Sequence, residues 1–186
     1  MNYDTIKEEI KDIDITLPPP QEEPERQYYF IKKLQHWMEL KKEEKGRELT
    51  CCVNTFGCQM NARDSEKIIG ILMTIGYKVV EDEDADLVIF NTCTVRENAN
   101  LKVYGRLGQL KKIKNKNPEM ITMLCGCMMQ EESVVEKIKK SYRNVDIIFG
   151  THNIFKFAEL LSMKVLDRAE SKKMIIDVWK DTTEIV

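Results

Sequence analysis

From residue 49 onward, short apolar runs alternate with longer segments in which apolar residues recur every three or four positions. The short runs are bounded by glycine, proline or acidic turns, and they predict strands over 49–55, 77–80, 87–90, 121–124 and 145–149. The periodic segments predict helices with one buried face. One of these helices ends at Gly76, and the others span about 96–114, 131–142 and 154–161. In the first of them we expect the buried face to consist of Ile68, Ile69, Leu72, Met73 and Ile75.

This order of strands and helices predicts the fold class. Strands that alternate with helices pair in parallel through right-handed crossovers. The run 87–90 is apolar throughout, which is typical of a parallel strand covered on both faces. We therefore predict an α/β fold, a three-layer open and mainly parallel sheet with helices on both faces, of the flavodoxin or Rossmann type.

The segments that flank this unit have a different composition. Residues 1 to about 26 mix both charges with four prolines and few apolar side chains, which predicts a mostly disordered or loosely docked tail. Residues 27–45 predict a helix with one apolar stripe that ends at Gly46; we expect it to pack on the domain, and a partner-binding helix is the alternative. Residues 174–179 predict a strand without an obvious partner. The expected organisation is 1–47 as tail and helix, 48–165 as the main domain and 166–186 as the start of a linker to a domain absent from this chain.

Charge and composition disfavour several classes of protein and of binding site for this chain. The net charge of −2 gives no bulk attraction to nucleic acid, although a local basic patch is still possible. No apolar run approaches the roughly 20 residues that span a bilayer, and the first residues do not resemble a signal peptide, so we expect a cytoplasmic protein without membrane contact. Six cysteines in that compartment are thiols or ligands rather than disulfides. A structural zinc site is disfavoured because the chain has no CxxC pair and its two histidines lack zinc-finger spacing.

Three cysteines, Cys58, Cys93 and Cys127, each follow a predicted strand and precede a predicted helix. In open parallel sheets, ligands collect at the carboxyl ends of the strands. A helix N-terminus also favours thiolate over thiol, and thiolate is the form that binds iron. Each cysteine taken alone is more commonly a packing residue, but three at equivalent positions predict one shared metal site.

Three thiolates are one fewer than the four that saturate a cubane iron–sulfur cluster, so one iron would remain open to an outside ligand. Gly57 and Gly126 precede two of these cysteines, and we expect them to provide clearance for a bulky group. We assign the other cysteines, Cys51, Cys52 and Cys125, to core packing.

Polar residues surround the predicted site. They are Asn61, Asn91, Thr92, Thr94, Arg96, Asn98, Gln130, Thr151, His152 and Asn153. Their ordinary role is helix capping and turn formation, and the alternative is hydrogen bonding to the sulfur atoms of a cluster. A flavin site is the competing class of site, but the first loop lacks the Ser, Thr and Gly residues of a phosphate cradle.

At these residues the chain resembles the N-terminal domain of the methylthiotransferases, radical enzymes that use S-adenosyl-L-methionine. The resemblance rests on residues 55–61 (TFGCQMN), 91–99 (NTCTVRENA), 102–108 (KVYGRLG), 126–128 (GCM) and 149–154 (FGTHNI). Gln59, Met60 and Asn61 are typical of the group that makes 2-methylthio-N6-dimethylallyladenosine in tRNA. Relatives that act on threonylcarbamoyladenosine in tRNA, or on a ribosomal protein, carry other residues there and are the alternatives.

The resemblance implies that Cys58, Cys93 and Cys127 hold the auxiliary 4Fe-4S cluster, with Gly57, Asn61, Asn91, Thr92, Arg96 and Gly126 around it. It implies that the full-length enzyme binds a second 4Fe-4S cluster and S-adenosyl-L-methionine, and that it converts N6-isopentenyladenosine beside the anticodon to the 2-methylthio derivative. Its partners would be tRNA and a sulfur donor or cluster-assembly protein, without DNA. The CxxxCxxC motif of the radical domain is absent here, so we expect no catalytic residue in this chain beyond the cluster and no activity of the chain by itself.

Overall fold

The structure, a computed structural model, describes residues 3–57, 59–93 and 97–178. Its centre is a six-stranded sheet in the order β2-β1-β3-β4-β5-β6, in which every pairing is parallel. The strands are β1 (Thr50–Phe56), β2 (Lys78–Val79), β3 (Leu87–Thr92), β4 (Ile121–Gly126), β5 (Ile147–Phe149) and β6 (Ile175–Asp177). The predicted parallel sheet is therefore confirmed.

Helices cover both faces of the sheet, as predicted. The α-helices are α1 (Tyr3–Glu9), α2 (Glu25–Lys45), α3 (Gln59–Ile75), α4 (Glu97–Lys116), α5 (Glu132–Ser141) and α6 (Phe157–Leu166), and two 3-10 helices span Cys127–Gln130 and Thr151–Lys156. One hydrophobic cluster joins α1, α2, α3 and α6 to one face of the sheet, and a second joins α4 and α5 to the other. Along β3 the side chains alternate between the two clusters, and all six residues of the strand are buried. This confirms the three-layer α/β fold.

The N-terminal segment differs from the prediction of a mostly disordered tail. Ile6 and Ile10 are buried in the core cluster, and α1 contacts α3. Two isoleucines four residues apart lie on one side of a helix, so even a short and charged segment can bury them together.

Helix α2 packs on the domain itself, which favours the simpler of its two predicted roles. It contacts α3 and α6, and Ile31, Leu34 and Met38 are buried. The Arg26 guanidinium pairs with the Glu159 carboxylate of α6, with a shortest N–O distance of 2.6 Å.

Three further details of the prediction are corrected. The segment near residue 175 does have a partner, because β6 pairs with β5. Met73 is 61% exposed and Ile71 takes its place in the buried face of α3. The predicted helix over 154–161 is instead a 3-10 helix followed by α6, and Trp179 of the predicted last strand lies outside the described residues.

The sheet has its topological switch point between β1 and β3. The chain leaves β1 to form β2 on one side and then returns to form β3 on the other side. In open α/β sheets, the crevice at the carboxyl ends of such strands is the usual ligand site. Two of the three predicted cysteine loops, those after β1 and β3, begin at this point.

Candidate metal centre

Cys93 and Cys127 directly follow two neighbouring strands, β3 and β4, whose last residues pair with each other. Thr92 at the end of β3 pairs with Phe56 on one side and with Gly126 on the other. The next residues along the three strands are Gly57, Cys93 and Cys127, and neighbouring strands lie about 5 Å apart. Cys93 is buried and Cys127 is partly exposed. The structure thus brings two of the three predicted ligands together at the carboxyl edge of the sheet.

Cys58, the third predicted ligand, lies outside the described residues, but its neighbour Gly57 is described. A Cβ placed on Gly57 would lie 2.5 Å from the Cβ of Cys93 and 2.7 Å from Oδ1 of Asn61. The backbone at Gly57 therefore lies directly against Cys93, and any larger residue would push the two loops apart.

Gly126 is required by a similar close approach. Its φ of 104° and ψ of −175° lie in a region that is populated almost only by glycine. An added Cβ would overlap the Thr92 carbonyl oxygen and would lie 2.8 Å from Oδ1 of Asn91. The prediction gave both glycines the role of clearance for a bulky group. The structure shows a different reason for glycine at both positions, because other atoms of the chain already occupy the space that a side chain would need.

A buried hydrogen-bond network joins α3 to the end of β3 beneath the cysteines. Nδ2 of Asn61 donates to Oδ1 of Asn91 at 3.1 Å and to the Thr92 carbonyl at 2.9 Å. Nδ2 of Asn91 donates back to the Asn61 carbonyl at 2.8 Å and to Oγ of Ser65 at 3.0 Å. The Ser65 and Thr55 hydroxyls are 2.7 Å apart. These side chains cross-link strands and helix, a role that the prediction of capping and turn formation did not include.

Ser65 is the member of this network that the sequence prediction missed. It lies one helical turn after Asn61, and both are buried on the side of α3 that also carries Ile68 and Leu72. A polar pair that continues an apolar helical stripe is the signal that would have identified it.

The hydroxyl of Thr151 lies 4.0 Å from Sγ of Cys127, the long limit for a hydrogen bond to sulfur. Nearby, Nε2 of Gln130 is buried without an acceptor among the described residues and lies against Gly150. A buried amide donor without a partner is costly, so an acceptor at this place would be favourable. Thr151 and Gln130 are the donors of the predicted polar set on this side of the centre.

Other predicted residues lie elsewhere. Nδ2 of the buried Asn153 donates to the backbone and the carboxylate of Asp177, so Asn153 holds β6. His152 is exposed. Thr94, Arg96 and the side chain of Asn98 lie outside the described residues. Cys127 begins a 3-10 helix, and α5 starts only at Glu132. The helix predicted to begin near residue 131 is therefore α5, and a 3-10 helix separates it from the end of β4.

The remaining cysteines have the environment expected of packing residues. Cys51, Cys52 and Cys125 are buried within the two hydrophobic clusters. Burial raises the pKa of Cys51 to about 12, with a smaller contribution from the neighbouring Cys52 thiol. Burial also raises the pKa of Cys125 far above its ordinary value. These two thiols stay protonated, which is unfavourable for binding a metal.

Comparison with protein family models identifies the family of this chain. The matching family model is described as Uncharacterized protein family UPF0004, and it covers residues 50–150, more than half of the chain. The chain belongs to this family. The UPF0004 match runs from the first residue of β1 to Gly150 after β5, so it contains all three predicted cysteine ligands.

Curated relatives of this UPF0004 chain carry the name tRNA-2-methylthio-N(6)-dimethylallyladenosine synthase. One from Lachnoclostridium phytofermentans is 65% identical over 144 residues, which is 77% of this chain and 31% of the relative. One from Acetivibrio thermocellus is 50% identical over 159 residues, 85% of this chain and 32% of the relative. One from Staphylococcus haemolyticus is 49% identical over 150 residues, 80% of this chain and 28% of the relative. The resemblance to this enzyme group is confirmed, and the chain spans about a third of the length of these relatives.

Proposed function

We propose that this chain is the cluster-binding part of a tRNA methylthiotransferase and that Cys58, Cys93 and Cys127 hold a 4Fe-4S cluster. The domain responsible would be residues 48–165. The observation that carries the proposal is the register of three adjacent strands: their last residues pair, so Gly57, Cys93 and Cys127 follow side by side. Cys58 follows Gly57 directly in the chain, so all three thiols belong to loops that begin side by side.

The residues around this place fit such a group. The donors are cysteines from three separate loops, the ligand type that iron–sulfur clusters use. On the side of Cys127, the Thr151 hydroxyl and the Gln130 amide, which has no acceptor among the described residues, are hydrogen-bond donors suited to sulfur acceptors. A cluster held by three cysteines would supply an iron position without a protein ligand, which is the chemistry needed to carry a transferable sulfur.

The chain's own residues would hold this centre in place. The network of Asn61, Asn91 and Ser65 fixes the start of α3 to the end of β3, so the loops after β1 and β3 cannot move independently. Gly57 and Gly126 allow three loops to converge. The cluster would therefore be bound by short loops anchored to a rigid sheet rather than by flexible segments.

The wider activity is also part of the proposal. In the full-length protein this domain would act with a radical domain that binds S-adenosyl-L-methionine and a second 4Fe-4S cluster. The substrate would be the N6-isopentenyladenosine beside the anticodon of tRNA, and sulfur would come from a donor or cluster-assembly protein in the cytoplasm. We expect the chain alone to bind its cluster without catalysing the reaction. Within the described residues, no helix is long and apolar enough to cross a membrane.

Anaerobic reconstitution with iron and sulfide tests the proposal. The chain should take up about four irons and show the broad visible absorption of a 4Fe-4S cluster. Cys58→Ala, Cys93→Ala and Cys127→Ala should each lose most of this iron and absorption. Cys51→Ala is the matched control, because Cys51 is a buried core thiol, and it should keep the parent's iron content.

Iron content unchanged in all three ligand variants would overturn the proposal. Loss of iron from Cys51→Ala as well as from the other three would mean that the loss reports unfolding, so circular dichroism of each variant is recorded beside the iron assay. A flavin retained through native purification would favour the competing flavin-binding function.

A further inference from the structure

The outward side of α4 carries a row of exposed basic and small residues that the proposed metal centre does not use. Lys102, Gly105, Gln109, Lys112 and Lys116 follow one another at intervals of three, four, three and four residues, and all five are exposed. This spacing places them along one face of the helix. No acidic residue occurs between residues 101 and 118. We call these five residues the α4 stripe.

The lysines of the α4 stripe have no carboxylate partner in the part of the chain that the structure describes. Two other cations of α4 have carboxylate partners, since Arg106 pairs with Glu83 and Lys114 pairs with Asp146. Lys102, Lys112 and Lys116, and also the exposed Lys111, form no ion pair with any described residue. By contrast, α2 intersperses its six basic residues with four acidic ones. An array of unpaired cations on one helix repels itself, and an external polyanion would relieve that repulsion.

Two glycines in the exposed middle of α4 are a second and independent observation. A glycine in a helix interior lowers helix stability relative to alanine. At Gly105 and Gly108 a Cβ would meet no atom within 4 Å, so packing inside the protein does not require either glycine. The missing side chains leave the helix backbone open between Lys102 and Lys112. A partner that approaches the helix surface closely would explain both positions.

The end of α5 extends the same surface. Tyr104 of α4 stacks on Tyr142 with ring centroids 5.4 Å apart, and the Lys137 ammonium lies 4.0 Å from the Tyr104 centroid. Lys140 and Arg143 are exposed and form no ion pair with any described residue. Nδ2 of Asn144 donates to the Leu107 carbonyl at 3.1 Å, which holds this segment against α4.

We propose that the α4 stripe, together with Lys140 and Arg143, binds the sugar–phosphate backbone of RNA. The identity of the polyanion as RNA rests on the proposed function. The net charge of the whole chain is −2, so attraction to a polyanion has to come from a local surface, and among the described residues this face combines several unpaired cations with a segment, 101–118, that contains no acidic residue. Lys112 and Lys116 lie about 6 Å apart along the helix axis, close enough to contact neighbouring phosphates of one strand. The face contacts backbone rather than bases, because lysine side chains on a helix surface position nucleic acid without reading its sequence.

Fluorescence anisotropy with a labelled RNA hairpin of the anticodon stem-loop type tests this surface. Lys102→Gln/Lys112→Gln/Lys116→Gln should weaken binding roughly tenfold at moderate salt and lower the slope of log K against log salt by about 1 per lysine. The matched control is Lys7→Gln/Lys78→Gln/Lys172→Gln, which removes the same charge from three exposed lysines off α4 that form no ion pair with described residues. This control should bind like the parent chain.

A second variant separates binding from folding. Gly105→Ala/Gly108→Ala should raise Tm by several degrees, because alanine stabilises an exposed helix interior. The same variant should weaken RNA binding several-fold, because its methyl groups occupy the open backbone. A structural role for the two glycines would instead lower Tm.

The outcomes distinguish this inference from the proposed function. Equal RNA affinity of the α4 stripe variant and the control variant overturns the inference, and so does the absence of RNA binding by a parent chain that takes up its iron. Displacement of the hairpin by polyglutamate at matched charge would assign the surface to an acidic protein instead. All of these variants should keep the iron content of the parent. The iron assay therefore tests the proposed metal centre, and the RNA-binding assay tests the α4 stripe separately.

Discussion

At the scale of single residues, the candidate centre depends on positions where almost no side chain is tolerated. Gly57 lies against Cys93, and Gly126 lies against the backbone of Thr92. The five described cysteines also separate into two groups at this scale. Those inside the strands are buried in apolar clusters, while Cys93 and Cys127 come just after strand ends. Position relative to the strand end therefore separates the core thiols from those proposed as ligands.

Gly126→Ala should destabilise the protein by roughly 2 to 4 kcal/mol, because an alanine at this φ and ψ is strained and its methyl group overlaps Thr92. Urea unfolding measures the change in the free energy of unfolding. Gly108→Ala is the control, since its added methyl group meets no atom, and it should leave stability unchanged or slightly higher. A Gly126→Ala variant as stable as the parent would contradict the close approach described here.

At the scale of elements, two aspartates make equivalent contacts at the amino ends of the strands, opposite the candidate metal centre. The Asp86 carboxylate before β3 accepts a hydrogen bond of 2.8 Å from the backbone N–H of Thr50, the first residue of β1. The Asp146 carboxylate before β5 accepts one of 2.9 Å from Thr122 in β4. Each aspartate thus ties the start of one strand to its neighbour. Arg47 adds two hydrogen bonds to Asp86.

These contacts give stability a dependence on pH. Burial raises the pKa of Asp86, but hydrogen bonds from Arg47 and from the Thr50 N–H outweigh it, so this pKa lies below its ordinary value. A carboxyl whose folded pKa is lowered contributes stability above its ordinary pKa, and that stability is lost as the pH falls through the folded pKa. Stability should therefore fall below about pH 4.

Asp86→Asn should be less stable than the parent by about 1 to 3 kcal/mol at pH 7, because a buried charge-assisted interaction is lost. Its free energy of unfolding should also fall less steeply between about pH 4 and pH 2 than that of the parent. Urea titrations at several pH values measure both effects. Asp84→Asn, in the exposed turn before Asp86, is the control and should follow the parent curve. Identical pH profiles for parent and Asp86→Asn would count against the role assigned to this carboxylate.

At the scale of the whole molecule, the N-terminal segment and the α/β sandwich form one packed body. Ile6 of α1 and Ile10, just after it, are buried in the same cluster as the sheet. Arg26 and Gln27 of α2 both donate hydrogen bonds to Glu159 of α6. Among the described residues, α4 carries several exposed lysines that form no ion pair. The candidate metal centre at the carboxyl ends of the strands and the α4 stripe on one face are therefore separate parts of a single scaffold.

Ile6→Ala should lower the free energy of unfolding by about 2 kcal/mol, the lower end of the range for a buried isoleucine, because α1 is a terminal helix. Unfolding followed by circular dichroism and by tryptophan fluorescence should remain one coincident transition. Thr5→Ala, an exposed neighbour on α1, should change little. An unchanged stability in Ile6→Ala would mean that α1 does not belong to the cooperative unit.

The local pattern of residues was sufficient for the order of strands and helices from residue 49 onward. Periodicity is a property of neighbouring residues, so β3 with its apolar run and α3 with its stripe were predicted correctly apart from details such as Met73. The position of Cys93 and Cys127 after strand ends followed from the same pattern. The family also followed, because the short motifs around the cysteines are themselves local sequence.

The tertiary structure alone decided what depends on residues far apart in the chain. The pairing of β6 with β5, the docking of Ile6 and the network between Asn61, Asn91 and Ser65 each join segments that no local pattern connects. The reason for Gly126 likewise appears only when Thr92 of the neighbouring strand is placed beside it. The sequence by itself thus determined the order of elements from residue 49 onward, the cysteine loops and the family. Packing between distant segments decided which side chains meet, because each such contact depends on the whole chain being folded.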